Sequence, residues 1–394
     1  MNLFSLALAY LRSKWSNSLL HIILMLLGVM TITVLLLFSH QAKERLYRDG
    51  AGIDLVVGAK GSPLQLILSS IQHMDIPTGN ILLSEAERIK NHRYIRQAIP
   101  ISLGDNYQRF RIVGTEPSYL KHFKAEFADG NIWNKSMQAV IGAKVAQQTG
   151  IKVGNSFVGV HGLVSGGHGH GDNPYRVVGV LKPTGTVLDR LIVTSLDSVW
   201  RLHAEEKHSE DSSKREVTAL LVSYRNRAAA FSFPRQINQQ TSMQAASPAF
   251  EMARLVDLVG IGTDSMMMFS GFLIAVSLAG VFIGLLNNIR SRRYDLAIFR
   301  TLGASRKKIL LLVIMEGMTI VLIGSIAGLL LGHGLMEAIG MFTEKGMEMG
   351  LEGLFFLPVV WIVWSIVLLL SLLACLIPAW EAYKTDIWNT LTHV

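Results

Sequence analysis

Four long apolar stretches, separated by more polar sequence, divide this chain. They cover residues 19–39, 266–286, 309–331 and 354–377. Because a helix of about twenty apolar residues crosses the hydrocarbon core of a bilayer, each stretch predicts a transmembrane helix. The first run is long and lacks a small-residue cleavage site, so we expect the first helix to remain as an anchor.

Residues 40–262 follow a different pattern, in which short β-type runs alternate with helical periods. Runs such as Tyr175–Leu181 are typical of strands. Segments such as 143–149 and 228–240 repeat their apolar residues at helical spacing. A region of this length can bury its own core. The predicted fold is therefore an α-helical membrane protein with four transmembrane helices and a large α+β domain between the first and second helices.

The distribution of charge predicts the orientation of these helices. Residues 287–308 contain seven Lys or Arg and one acid, whereas the loop 334–353 contains four Glu and one Lys. Because basic residues are retained on the cytoplasmic side, both termini and residues 287–308 are predicted to be cytoplasmic. The domain 40–262 and the loop 334–353 are then extracytoplasmic.

The two ends of the chain flank the predicted spans on the cytoplasmic side. Residues 378–394 are predicted to form a cytoplasmic tail. Residues 1–18 mix apolar with polar and basic residues. They fit an amphipathic helix in the plane of the interface as well as they fit the cytoplasmic start of the first span.

Composition supports a membrane protein. Half of the 394 residues are hydrophobic and the mean hydropathy is +0.36. The net charge of +8 could suit nucleic acid, but much of the excess lies beside the spans, so we expect no nucleic-acid partner. Cys375 is the single cysteine, which excludes an intrachain disulfide, so the extracytoplasmic domain has to be held together by burial.

Glycines recur at four-residue spacing in two of the predicted spans. Small residues at this spacing allow helix backbones to approach closely in lipid. Glycine is also frequent in spans generally, but the run of three in the third span favours a real packing interface. The candidate packing residues are Gly280, Gly284, Gly324, Gly328 and Gly332.

Glu316 is an acid inside the third predicted span. An ionisable group at such a depth is a functional-site candidate because leaving it unpaired in hydrocarbon is costly. The competing interpretation is a structural one, in which the carboxylate reaches a cytoplasmic Arg or Lys or bonds across a helix pair. We favour the structural interpretation.

A histidine accumulation lies in the predicted extracytoplasmic domain, close to several carboxylates. Imidazole and carboxylate together suit zinc. The spacing matches no standard structural zinc site, and a solvated hairpin tip followed by a charged loop explains the same residues. We favour the solvated loop and keep zinc as an alternative. The candidate ligands are His168, His170, His203 and His208.

Signatures of catalysis are missing from the sequence. The segment 58–62 resembles a phosphate loop, but it lacks the Gly-x4-Gly-Lys-Ser/Thr frame. Ser165 is not part of a Gly-x-Ser-x-Gly elbow. We therefore expect no enzyme activity from this chain by itself.

The most informative segment is the basic stretch 290–308 between the second and third spans. Its apolar residues predict one side of a short amphipathic helix and its basic residues the other. Such a helix can lie at the membrane surface and contact a partner. The apolar set is Leu296, Ile298, Phe299 and Leu302, and the basic set is Arg292, Arg293, Arg300 and Lys307.

These segments carry a resemblance to a known family. The stretch Arg292 to Arg306, the following Met315-Glu-Gly and Gly324 to Gly332, and the end from Pro378 resemble the permease signature of the FtsX/MacB family of ABC transporter permeases. The segments 139–146, 150–156 and 175–185 resemble the MacB-type periplasmic core of that family. The resemblance covers nearly the whole chain.

The resemblance implies a membrane subunit of the mechanotransmission type (type VII), without a fused ATPase, in the inner membrane. A separate ATPase dimer would bind ATP and Mg, and this chain would hold no cofactor. A second permease subunit, identical or paralogous, would complete the assembly. The residues that would contact the ATPase are Arg292, Arg293, Asp295, Phe299, Arg300, Leu302, Gly303 and Arg306.

The resemblance leaves the task of such an assembly open. ATP hydrolysis would drive motion of the periplasmic domain for export or extraction of a periplasmic or membrane substrate, with lipid around the spans. The alternatives are FtsX-like signalling to a periplasmic partner protein and a zinc-linked transport system. The substrate itself does not follow from the sequence.

Overall fold

A computed structural model describes residues 15–161, 173–207, 215–343, 346 and 349–384. The chain divides into two compact units. The helical unit comprises Met1–Ala42 and Leu258–Val394, and the sheet unit comprises Lys43–Asp257. The predicted domain 40–262 therefore corresponds to the sheet unit with slightly different limits.

The described elements follow one another along the chain in this order: α1 (Trp15–Asp49), β1 (Leu55–Ala59), α2 (Pro63–Ser70), β2 (Ile81–Leu82), α3 (Leu83–Lys90), β3 (Ile95–Tyr107), β4 (Phe110–Thr115), α4 (Pro117–His122), β5 (Phe127–Gly130), β6 (Gln138–Ile141), α5 (Ala143–Thr149), β7 (Ser156–Phe157), β8 (Val160–His161), β9 (Tyr175–Leu181), a 3-10 turn (Val187–Arg190), β10 (Leu191–Ser195), α6 (Leu196–Lys207), β11 (Glu216–Val217), β12 (Ala219–Tyr224), α7 (Ala229–Gln240), β13 (Met243–Ala246), α8 (Pro248–Ser291), α9 (Arg293–Thr301), α10 (Arg306–Phe342) and α11 (Pro358–Lys384).

Helices α1, α8, α10 and α11 are the four that are long and apolar enough to cross a membrane, among the residues described. This confirms the predicted architecture of four membrane helices with a large domain between the first and second. The limits differ from the predicted spans. Helix α10 continues to Phe342, past the predicted end at residue 331. Helix α11 begins at Pro358 instead of residue 354, because proline, which lacks an N–H, is well suited to the first helical turn.

Helix α10 is the most buried of the four membrane helices. Half of the most apolar stretch of α10 is buried, compared with 22% to 28% of the corresponding stretch in the other three helices. Its buried residues recur every three or four positions and include Val321, Gly324, Gly328 and Met336. This spacing gives α10 one continuous buried side.

Three glycines of α10 lie directly against α1. A Cβ atom on Gly324 would lie 2.9 Å from the Ile22 carbonyl oxygen, and one on Gly328 would lie 2.7 Å from the Leu26 carbonyl oxygen. One on Gly332 would lie 2.8 Å from Thr33 Cβ. The two backbones therefore approach as closely as glycine allows.

The two glycines of α8 differ from each other. Gly280 lies against the ring of His21 on α1, so a side chain there would collide with that ring. A Cβ atom added to Gly284 would have no atom of the described chain within 4 Å to meet. The expectation that Gly284 packs against another helix is therefore wrong within this chain, because its side of α8 points away from the neighbouring helices.

The sheet unit is built on one large mixed sheet. Within the described residues its main path runs β13-β1-β12-β3-β4-β10-β6-β9-β5, with β7 on β9 and β8 on β3. The pairs β10–β4 and β6–β9 are parallel and the other pairs are antiparallel. Parallel neighbours require crossovers, and the helices between these strands provide them.

Both faces of this sheet are buried. On one face Val56, Val113 and Leu221 share a core with residues of α2 and α4. On the other face Leu55 and Val222 pack with α3 and α7, and a further cluster includes residues of α5 and α6. Two-sided burial explains why the strands read as continuous apolar runs.

The longest strand, β3, is absent from the strands that the sequence pattern predicts. It contains Pro100 and a bulge between Leu103 and Asn106. Proline and irregular register both weaken a strand pattern.

Two helix ends follow local sequence signals. Ser62 caps α2 by accepting a hydrogen bond from Gln65 N, and Gly150, at a φ of +71°, ends α5.

His73 is buried in the core of the sheet unit. Its Nε2 lies 3.1 Å from the Tyr119 hydroxyl, and its backbone has a φ of +54°. Burial, followed by the positive charges of Arg111 and Arg190, lowers the pKa of His73 from 6.5 to about 3. The imidazole is therefore neutral in the folded protein at neutral pH.

Replacing Gly328 by alanine tests the close approach of α10 and α1. The added methyl would overlap the Leu26 backbone, and we expect a loss of about 1–3 kcal/mol of stability from overpacking. Gly334→Ala is the matched control, because this α10 glycine has open space around it in the described structure. The control should be neutral or stabilising by up to about 1 kcal/mol. Equal thermal midpoints in detergent for the two variants would contradict the packing.

Replacing His73 by asparagine tests its role in pH dependence. Because the folded pKa lies below 6.5, the unfolded chain takes up a proton first, and stability is lost as the pH falls from 6.5 towards 3. The slope contributed is up to about 1.4 kcal/mol per pH unit. Asparagine tolerates a positive φ.

The measurement is the thermal midpoint of the sheet unit in the intact chain at pH 7 and pH 5. His73→Asn should reduce the difference between the two midpoints. Tyr119→Phe, which removes the hydrogen-bonding hydroxyl but keeps the imidazole, should retain most of the difference. An unreduced difference in His73→Asn would show that other groups dominate the acid sensitivity.

Candidate functional site

The basic stretch between the second and third membrane helices forms a short separate helix. Helix α8 ends at Ser291, α9 covers Arg293–Thr301, and α10 begins at Arg306. Arg292 stands between α8 and α9 with non-helical backbone angles. The prediction of a short helix between the two spans therefore agrees with the structure.

The turn after α9 is defined by two helix caps. Ala304 N donates to the Phe299 carbonyl and Gly303 N to the Arg300 carbonyl, with Gly303 at a φ of +95°. This is the Schellman arrangement, which favours glycine at the position of Gly303. Ser305 then caps α10 by accepting from Lys308 N. Gly303 therefore has a conformational role in this segment.

The apolar residues of α9 divide between two sides of the helix. Phe299 packs against a core cluster formed by residues of α8, α10 and α11. Tyr294, Ile298 and Leu302 are 53%, 37% and 78% exposed. The predicted single apolar side containing Ile298, Phe299 and Leu302 is therefore wrong. With 3.6 residues per turn, neighbouring positions point about 100° apart, so Phe299 can meet the core while Ile298 is exposed.

Glu316 of α10 is buried beside the entrance to α9. Its Oε1 accepts a hydrogen bond of 2.9 Å from Asn288 Nδ2 of α8. Arg292 Nη1 lies 4.0 Å from the same oxygen. The structure thus gives Glu316 an amide partner across a helix pair and a basic partner, as the structural interpretation of this residue expects.

Arg306, at the start of α10, lies near the end of the last membrane helix. Its guanidinium carbon is 5.9 Å from the centre of the Tyr383 ring. Tyr383 stacks on Trp380, and Lys384 Nζ lies 5.6 Å from the centre of the Trp380 ring. The Arg306–Tyr383 contact joins α10 to α11, and a cation–π contact at this distance favours their association.

The remaining predicted contact residues have different places. Arg300 is partly buried and takes part in an interaction. Arg293 and Asp295 belong to α9, but their side chains lie outside what the structure describes. The sequence pattern did not single out Tyr294 or Asn288 as candidate site residues. The four-residue spacing of 294, 298 and 302 was the available signal for the first, whereas only the tertiary structure brings Asn288 to Glu316.

The candidate zinc ligands cannot be placed together from the described residues. His168, His170 and His208 lie outside the described ranges, and His203 lies in α6 with its side chain undescribed. The part of the chain that the structure describes contains no group of three or more His, Cys, Asp or Glu placed to hold a metal ion. The segment 58–62 serves the fold: Lys60 Nζ donates to the Thr241 carbonyl, and Ser62 caps α2.

Two family descriptions match the chain in succession. Residues 18–240 match the MacB-like periplasmic core domain, and residues 267–387 match the FtsX-like permease C-terminal region. The first match covers more than half of the chain. The second match contains most of α8 and all of α9, α10 and α11. A comparison with curated proteins finds no match.

Two solved structures show limited similarity to this chain. The periplasmic region of MacB from Actinobacillus actinomycetemcomitans is 12% identical, covers 53% of this chain and 95% of its own length, and has a TM-score of 0.35. The extracellular domain of the noncanonic ABC-type transporter YknZ from Gram-positive bacteria is 14% identical, covers 50% and 99%, and has a TM-score of 0.31.

Calorimetry tests zinc binding by His168, His170, His203 and His208. If these side chains form a site, the full chain in chelator-free detergent should bind Zn²⁺ at neutral pH, and replacing all four by alanine should abolish the heat. Mg²⁺ prefers oxygen ligands and serves as the control ion, which should give no heat with either protein. Equal zinc heats for the two proteins would reject these ligands.

Proposed function

Because the chain belongs to the family of FtsX-like permeases with a MacB-like periplasmic core domain, we propose that it binds a separate ATPase subunit through Tyr294, Ile298 and Leu302. We call these three exposed residues the docking face. The family consists of permease subunits of ABC transporters, in which another subunit hydrolyses ATP. The exposed apolar docking face on a short helix between two membrane helices is the observation that carries this proposal.

The chemistry of the docking face suits a protein partner. Tyr294, Ile298 and Leu302 recur every four residues and are all exposed. Residues at this spacing lie next to one another along a helix. The buried core of a protein–protein contact is enriched in aromatic residues and depleted of charged ones. A groove on the ATPase that accepts one helix would cover all three.

The charge around the docking face supports a cytoplasmic position. Seven Lys or Arg and one acid lie within residues 287–308. By the positive-inside rule this segment, both termini and the site of ATP and Mg binding on the partner would share the cytoplasmic side of the inner membrane. The basic surroundings would also steer a partner whose groove has an acidic rim.

The packing of α9 supports transmission of force to the membrane helices. Phe299 packs α9 against the core of the helical unit, whereas the three residues of the docking face are exposed. Helix caps at Gly303 and Ser305 shorten the connection to α10. A displacement of α9 by ATP-driven closure of the ATPase would therefore move the neighbouring helices.

The length of two helices supports a mechanotransmission role. Helix α8 has 44 residues, which at 1.5 Å per residue is roughly 66 Å, whereas a hydrocarbon core measures about 30 Å. Both α8 and α1 include residues of the sheet unit. We infer that such helices carry motion to the periplasmic domain for export or extraction of a substrate, with two permease subunits, identical or paralogous, per assembly.

Replacing Leu302 by glutamate tests the docking face. The tagged full chain is purified from membranes of its native host, and the partner is identified as a chain with a Gly-x4-Gly-Lys-Ser/Thr loop that hydrolyses ATP. Burial of one leucine contributes about 1.5–3 kcal/mol, so Leu302→Glu should weaken association at least about tenfold. Both the recovered partner and the ATP hydrolysis should fall accordingly.

Leu354→Glu is the matched control for this experiment. Leu354 is 87% exposed, compared with 78% for Leu302, and lies between α10 and α11, at the extracytoplasmic end of the predicted fourth span. The control should retain the partner and its ATP hydrolysis. Wild-type recovery of the ATPase with Leu302→Glu would overturn the proposed docking face.

A further inference from the structure

Glu316 joins three parts of the helical unit through one carboxylate oxygen. Oε1 accepts from Asn288 Nδ2 at 2.9 Å and lies 4.0 Å from Arg292 Nη1. Asn288 belongs to the last turn of α8, Arg292 immediately precedes α9, and Glu316 belongs to α10. The carboxylate therefore lies where α9, here called the docking helix because it carries Tyr294 and Ile298 of the docking face, leaves the membrane helices.

Because Glu316 and Arg292 are buried, one arrangement of these side chains is favoured over others. The Glu316 and Arg292 side chains are 7% and 14% exposed. A buried carboxylate requires hydrogen bonds and an opposite charge nearby, and these charge-assisted contacts are stronger than neutral ones. An alternative position of Arg292 or Asn288 would remove that compensation. One position of the start of α9 is thus favoured over others.

The turn at Arg292 would let α9 pivot without such a contact. Arg292 has φ and ψ of −113° and 17°, outside the helical region, whereas hydrogen-bonded caps hold the turn at Gly303. These two turns connect α9 to α8 and α10. Phe299 packs the middle of α9 against the core of the helical unit.

We propose that Glu316 is a positioning residue that holds the docking helix against α8 and α10, so that displacement of the docking face moves α10. Without the carboxylate, the same displacement would be absorbed as rotation of α9 about Arg292. The inference rests on the proposed function, because it assigns to Glu316 the transmission of force from the ATPase-binding helix.

Hydrogen exchange of the full chain in detergent tests the positioning without any partner. Glu316→Gln keeps a carbonyl acceptor for Asn288 but removes the charge that faces Arg292. We expect the amides of residues 293–302 to exchange about tenfold faster than in the wild type, because the start of α9 detaches more often. Glu316→Asp, which keeps the charge on a shorter side chain, should restore part of the protection.

Gln41→Ala is the matched control for a purely structural effect. Counted over the whole residue, Gln41 is 4% exposed and Glu316 is 5% exposed. The Gln41 side chain forms two hydrogen bonds with the backbone of Glu352, beyond the other end of α10. Its loss should leave exchange at 293–302 unchanged. If Glu316→Gln lowers the thermal midpoint as Gln41→Ala does but leaves the exchange of α9 at the wild-type level, the positioning role is rejected.

The assembled complex with the copurified ATPase tests the transmission step. Glu316→Gln should assemble at nearly wild-type yield, while ATP turnover per complex falls about tenfold. Combining it with Arg292→Ala should be no worse than the more severe single variant, since both remove the same contact. Additive losses, or wild-type turnover in Glu316→Gln, would overturn the inference.

The experiments on Leu302 and Glu316 separate the docking face from the role of Glu316. Failure of Leu302→Glu to reduce association removes the docking face and with it the premise of the coupling role. Reduced association in Leu302→Glu together with unchanged exchange and turnover in Glu316→Gln keeps the docking face and rejects only the role of Glu316.

Discussion

The close contact between α10 and α1 is the constraint on which the helical unit depends. Lipid tails are as apolar as the side chains, so helices in a membrane associate through close packing and polar contacts. Gly324, Gly328 and Gly332 permit that packing, since a Cβ at each would lie within 3 Å of α1 atoms. Burial of α10 then leaves Glu316 away from solvent. Its need for polar partners fixes the neighbouring ends of α8 and α9.

The sheet unit meets a different constraint with different means. Its residues contain no cysteine, so it depends on burial of both faces of its mixed sheet and on the hydrogen bonds between distant strands. Pairs such as β1 with β12 and β13 join segments far apart in the chain. A polar group in that core, such as His73, is tolerated because it stays neutral and lies beside the Tyr119 hydroxyl.

Sequence patterns predicted the short helix between the second and third spans but not which of its sides faces the core. Basic residues and apolar spacing indicate a short amphipathic helix at 290–308, and the structure contains α9 there. Ile298 and Phe299 are adjacent in sequence, so a pattern count assigns them to one apolar side. Packing separates them, because Phe299 meets the core while Ile298 points outward. Which apolar residues remain available to a partner is therefore a property of the assembled helices.

The sequence by itself determined the four membrane helices and the domain between the first and second. Both the length of a membrane span and the hydrophobic periodicity of strands and helices can be recognised in short stretches of sequence. The sequence also revealed the glycine spacing of α10. Only the tertiary structure decided that Gly284 lacks a neighbour within the described chain, that β3 forms despite Pro100, and that Asn288 and Arg292 meet Glu316. Those outcomes depend on which surfaces meet, and such contacts join residues that no local pattern relates.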